Sequence, residues 1–211
     1  GVIYMSSSLE EETLDIINEL DLKTVLVETK DKEGRLPSVY IDNIEATYEA
    51  TKHLLDKGIK NIAFIGVDKS SANAWGDRYI GYEKALNEAG ITVDEDLVYF
   101  EGLKVKSGYV ASEKFLASGK NFDGIICASD EIAMGAINGL REKGVNTPED
   151  VSVIGFNDNV VAWCFYPKLT TVKQPSYDMG SVAMRMLIKI LNNKPLEKAE
   201  FILKHELIER E

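Results

Sequence analysis

Apolar residues recur along the chain in two alternating rhythms. Short runs at 2–5 (VIYM), 24–29 (TVLVET), 38–41 (SVYI), 61–66 (NIAFIG), 97–100, 124–128 (GIICA), 151–156 (VSVIGF) and 169–173 are β-branched or aromatic and predict strands. A last strand is predicted over 200–208. Between them the apolar positions take helical spacing. Leu9, Thr13, Ile16, Ile17 and Leu20 share one face, and Val182, Ala183, Met186, Leu187 and Ile190 share another. Helices are predicted over 9–20, 44–56, 76–89, 107–117, from a Ser129-Asp130 cap to 143, and over 177–191. Gly58, Gly90 and Gly144 end three of them, Ser107 is a candidate cap, and Glu10, Glu11 and Glu12 lie where a helix dipole favours negative charge. Strands alternating with amphipathic helices predict an α/β fold with parallel sheets.

Composition narrows the classes. The 211 residues are 45% hydrophobic and 28% charged, enough for a real core and unlike a disordered or disulfide-stapled chain. The longest strictly apolar run, residues 160–166, falls far short of the roughly 20 residues of a membrane helix. Lys+Arg 24 against Asp+Glu 35 gives a net charge of −11, so these residues are poor partners for a polyanion. Cys127 and Cys164 lack metal or redox spacing and read as reduced thiols, which suits a cytoplasmic location.

The motifs of catalysis are missing. There is no GxGxxG after a strand, no phosphate loop and no GxSxG elbow, and His53 and His205 stand apart from any ligand set. The chain is therefore read as a binding protein and not an enzyme, with no cofactor and no metal. Ligands of α/β sheets sit beyond the carboxyl ends of the strands. That rule selects Ser129 and Asp130 after GIICA, Asn157, Asp158 and Asn159 after VSVIGF, and the polar stretch 68–73 with Trp75 and Arg78 behind it. Directional hydrogen bonds from Arg and carboxamides, with an indole to cover an apolar ring face, suit a sugar or nucleobase. Competing roles are plain: Asp130 as part of a helix cap, Trp75 as loop packing.

Several segments resemble the effector-binding core of the LacI/GalR family of bacterial transcription regulators. They are SVYIDN at 38–43, HLLDKGIKNIAFIG at 53–66, DRYIGYEKALNEAGI at 77–91, ASDEIAMGAINGLREKGVNTPEDVSVIGFND at 128–158, PKLTTVKQP at 167–175 and YDMGSVAMRMLIKIL at 177–191. The last two look most like the catabolite control protein branch. The resemblance implies a periplasmic-binding-protein-like fold of two parallel-sheet subdomains with a ligand cleft. The expected division is a partial N-subdomain of 1–58 plus 172–195 and a C-subdomain of 59–171 plus 196–211. Residues 2–5 match a strand well inside the N-subdomain. The chain is thus expected to be a fragment, with the DNA-binding helix-turn-helix lying outside it.

Carried over position by position, the resemblance makes Arg78 the arginine that hydrogen-bonds a sugar hydroxyl or a purine and Ser129 a polar ligand contact. The family's ligand-binding aspartate falls at Asn157, next to Asp158, and its aromatic platform falls at Leu103. The implied function is effector sensing. A carbohydrate-like ligand would control operator binding by a homodimer through the DNA-binding head, with a phosphocarrier protein as a further corepressor. A sugar-binding protein for uptake shares the same fold and is the alternative.

Overall fold

The computed structural model describes residues 1–69 and 73–210. In chain order its elements are β1 (Val2–Met5), α1 (Glu11–Glu19), β2 (Thr24–Val27), β3 (Ser38–Ile41), α2 (Asn43–Asp56), β4 (Ile62–Gly66), α3 (Ala74–Glu88), β5 (Val98–Phe100), α4 (Val105–Ala117), β6 (Gly124–Cys127), α5 (Asp130–Glu142), β7 (Ser152–Asn157), α6 (Val160–Cys164), β8 (Thr170–Lys173), α7 (Ser176–Leu191), β9 (Glu200–Leu203) and β10 (Glu206–Ile208). Two compact units divide them. One holds 1–42, 73–74 and 175–205; the other holds 43–69, 75–174 and 206–210.

The first unit carries a four-stranded parallel sheet in the order β1-β2-β3-β9. Met179, Ala183, Met186 and Leu187 form the buried stripe of α7, and they close over Val25, Val27 and Val39. This i, i+4, i+7, i+8 spacing is the one that an amphipathic helix needs to cover a sheet. After β2 the chain turns at Asp31, whose carboxylate accepts from Arg35 Nε (2.8 Å), Arg35 Nη2 (2.8 Å) and the Arg35 backbone N–H (2.7 Å).

The second unit carries a six-stranded sheet in the order β10-β8-β7-β6-β4-β5, parallel throughout except for β10 against β8. Every residue of β4 and β6 is buried, as parallel strands covered on both faces require. Helix α2 packs on β10, β8 and β6. Helices α4 and α5 cross closely because Gly108 and Gly135 have no side chain: a Cβ on either would strike the Ile132 or the Val105 carbonyl oxygen. The order reverses around β4, since β5 lies on one side of it and β6 on the other, which makes the β4/β6 boundary a switch point.

Several boundaries differ from the sequence reading, and residues 172–174 fall with the second unit. The single strand expected over 200–208 is two strands in different sheets: β9 pairs with β3 in the first unit and β10 with β8 in the second. Periodicity along the chain cannot distinguish one strand from two that change sheets. Residues 43–58 also fall with the second unit, because the Ala46, Ala50 and Leu54 face of α2 is spent on its sheet, whereas 196–205 fall with the first. Finally, α4 begins two residues early with Lys104 at its N-cap, so Ser107 is a buried helical residue and not the cap. Among the described residues no helix is long and apolar enough to cross a membrane.

Candidate functional site

The carboxyl ends of β4, β6, β7 and β8 in the second unit collect most of the singled-out residues. Helix α3 starts just after β4, and its first turns put Trp75 and Arg78 on one face at i, i+3 spacing. Arg78 is only 2% exposed. Its Nε donates to Asn43 Oδ1 (2.9 Å) and its Nη1 to the Ala128 carbonyl oxygen (2.5 Å). The guanidinium carbon lies 3.6 Å from the Phe156 ring centroid and 4.6 Å from that of Trp75. Two aromatic faces and two acceptors therefore hold a permanent cation in one plane, a geometry suited to planar hydrogen bonding.

Ser129 and Asp130 turn inward. Ser129 Oγ accepts from Ile132 N (3.3 Å) as the N-cap of α5, as the sequence suggested. Asp130 is wholly buried. Its Oδ1 accepts from Thr171 Oγ1 (2.5 Å) and its Oδ2 from Asn159 N (2.8 Å). Burial outweighs these hydrogen bonds and pushes the carboxyl up to about 6. Gly155 makes room for it, since a Cβ there would collide with the Asp130 carboxylate. The Ser129 side chain is thus spent on capping α5, and that of Asp130 on tying the start of α5 to β8 and to the turn after β7.

At the end of β7 the backbone passes through positive φ twice, at Asn157 (111°) and Asp158 (56°), a conformation that Asn and Asp tolerate better than most residues. The kink separates their side chains. Asn157 Oδ1 accepts from Gln174 Nε2 (2.7 Å). Asp158 Oδ1 accepts from Arg210 Nη2 (2.5 Å), while Arg210 Nη1 also donates to the Leu169 carbonyl oxygen (2.8 Å). The Asp158 charge is therefore matched inside the unit. Asn159 caps α6 through Val161 N (3.0 Å).

The structure thus brings Arg78 and Trp75 together over Phe156, pairs Asn157 with Gln174, and ties Ser129, Asp130 and Asp158 to the chain itself. Leu103 follows β5 and is 45% exposed. In the polar stretch 68–73, residues 70–72 lie outside the described residues. Phe156, Asn43, Gln174 and Arg210 went unnoticed in the sequence. Phe156 carried a signal in its place immediately before Asn157, but the others meet their partners only through the fold. Among the described residues no group of three or more His, Cys, Asp or Glu could hold a metal ion.

This architecture has relatives. The sequence model of the periplasmic binding protein-like domain matches residues 51–211. The chain belongs to this family. The chain is 65% identical over 211 residues to the HTH-type transcriptional regulator RegA of Clostridium saccharobutylicum, covering all of this chain and 64% of the relative. It is 33% identical to catabolite control protein A of Priestia megaterium, over 98% of this chain and 62% of that protein. The domain also superimposes on the crystal structure of transcription regulator CcpA of Lactococcus lactis with a TM-score of 0.91 at 36% identity, covering all of this chain and 76% of the other. The resemblance to LacI-type regulators drawn from the sequence is borne out, as is the α/β fold with parallel sheets. The chain spans 64% of the length of RegA and 62% of that of catabolite control protein A.

Proposed function

We propose that this chain is the effector-sensing part of a LacI-type transcription regulator, binding a sugar or sugar-like ligand that controls operator binding by a homodimer. The observation that carries the reading is Arg78, a buried guanidinium held in one plane by Asn43, Ala128, Trp75 and Phe156 at the switch point of a parallel sheet. A similar solved structure, covering all of this chain at 30% identity and a TM-score of 0.92, is the transcriptional regulator CelR in complex with cellobiose. That complex supports a carbohydrate as the ligand class. Binding that favours one conformation over another would shift their populations, which is how a sensor of this kind acts without catalysing anything. A cytoplasmic location follows from the DNA-directed role. A phosphocarrier corepressor is supported only by likeness to the catabolite control proteins.

Arg78, Trp75 and Asn157 are the proposed ligand contacts; Ser129, Asp130 and Asp158 take supporting places behind them. Calorimetry with cellobiose, maltose and glucose tests the reading. Arg78→Ala should weaken binding by about 1.5–3 kcal/mol, the range for a hydrogen bond to a charged group. A variant that remains folded by circular dichroism and binds as tightly as the parent chain would remove Arg78 from the site.

A further inference from the structure

We infer that Arg210 is a positioning residue: it holds the kinked end of β7 in place and so aims Asn157 at its ligand. The inference rests on the effector-binding reading above. Positive φ at two successive non-glycine residues, Asn157 and Asp158, is a strained course that persists only where neighbouring groups hold it. Each residue of the turn has its own anchor. Gln174 Nε2 donates to Asn157 Oδ1 (2.7 Å). Asp130 Oδ2 accepts from Asn159 N (2.8 Å), and Glu131 Oε1 from Asn159 Nδ2 (2.6 Å). Between them, the Asp158 carboxylate meets Arg210 Nη2 (2.5 Å).

The Arg210 anchor differs in kind from the others. Of the three carboxylates about the turn, Asp130, Glu131 and Asp158, only Asp158 is paired with a cation among the described residues. The two side chains of that pair are 17% and 14% exposed, so solvent screens it little, and a hydrogen bond between two ions is a strong one. Arg210 is itself held firmly. Its backbone N–H donates to Thr170 Oγ1 (3.0 Å), the Thr170 hydroxyl donates to its carbonyl oxygen (3.1 Å), and Nη1 donates to the Leu169 carbonyl oxygen (2.8 Å). Glu209, the residue before it, accepts from Lys57 Nζ just after α2 (2.5 Å). The stretch after β10 therefore ties the end of β7 to the start of β8 and to the end of α2. A guanidinium fixed in this way fixes Asp158 against the sheet, and the Asp158 backbone sets the direction in which Asn157 leaves its strand.

NMR couplings and calorimetry on the full chain test this. In the parent, the backbone couplings that report φ should place Asn157 and Asp158 in the positive region. In Arg210→Gln, and in Arg210→Met where it folds, Asp158 should leave that region and the Asn157 couplings should change with it. The Kd for cellobiose should then rise about tenfold or more. Arg210→Lys keeps a cation for Asp158 and should retain the positive φ, with a Kd within about threefold of the parent. In an Asp158→Gly background, which lacks the carboxylate, Arg210→Gln should change the Kd by less than about twofold. A drop in melting temperature with both φ values kept would make Arg210 merely structural and overturn the proposal. So would a full tenfold loss in the Asp158→Gly background, since Arg210 would then act through Leu169. Loss of the positive φ with an unchanged Kd overturns the aiming of Asn157. If the parent binds none of cellobiose, maltose and glucose, the effector-binding reading falls by itself, and the φ comparison alone upholds or overturns the hold of Arg210 on the kink.

Discussion

At the scale of single residues, the candidate site is held by side chains whose hydrogen bonds go to the chain itself. Asp130 is the plainest case. Its carboxyl, near 3.8 in an unfolded chain, titrates at about 6 in the fold, so between these values the native state binds the extra proton. Its contribution to stability is therefore fully present below about pH 4 and lost as pH rises through about 6. The shift corresponds to roughly 3 kcal/mol. Asp130→Asn keeps an acceptor for Asn159 N and should flatten the pH dependence of melting between pH 4 and 7, with the largest gain above pH 6.5. Melting curves of the two proteins across that range check it. Asp31 behaves in the opposite way. Arg35 holds its carboxyl down at about 2, so its stabilisation is present above about pH 4 and lost as pH falls through 2. Because Arg35 is more than a third exposed, Arg35→Ala should cost under about 1 kcal/mol at pH 7 by urea denaturation. Arg78 was legible in the sequence because it stands close behind the polar stretch after a predicted strand and matches the position of the family's ligand-binding arginine. Gln174 was not. Its partner lies 17 residues away, and only the β7–β8 register, with Asn157 opposite Lys173, brings the two amides together.

At the scale of elements, the alternation of strands and helices was readable because each has its own apolar period, and most boundaries fell within two residues. Pairing partners were not readable, and the division of 200–208 between two sheets is the consequence. The close crossing of α4 and α5 was equally hidden, since a helical glycine carries no mark of what approaches it. Gly135→Ala should destabilise by about 1–3 kcal/mol through backbone displacement, whereas Gly102→Ala, with nothing near its added methyl, should be nearly neutral. Denaturant midpoints of the two variants decide this. Helix α6 and its continuation leave Trp163 58% and Tyr166 83% exposed. Whether the homodimer proposed above pairs through this surface is a matter for Trp163. Trp163→Glu should shift sedimentation toward the monomer without lowering the melting temperature; an unchanged association state would place the contact elsewhere.

At the scale of the whole molecule, the acidic balance speaks against these residues gripping DNA, and the parent regulator in this reading delegates that task to its head. The pairing of β3 with β9 has a consequence for how such a chain is made. Tyr40 donates its hydroxyl proton to the Glu200 carboxylate across 160 positions, and Ser38–Ile41 wait for Glu200–Leu203 to complete their sheet. A nascent chain therefore displays the open flank of β3 until residues 200–203 emerge, by which point β4 to β8 of the other sheet have already left the ribosome. Protease resistance of stalled nascent chains should accordingly appear later at residues 38–41 than at residues 62–66.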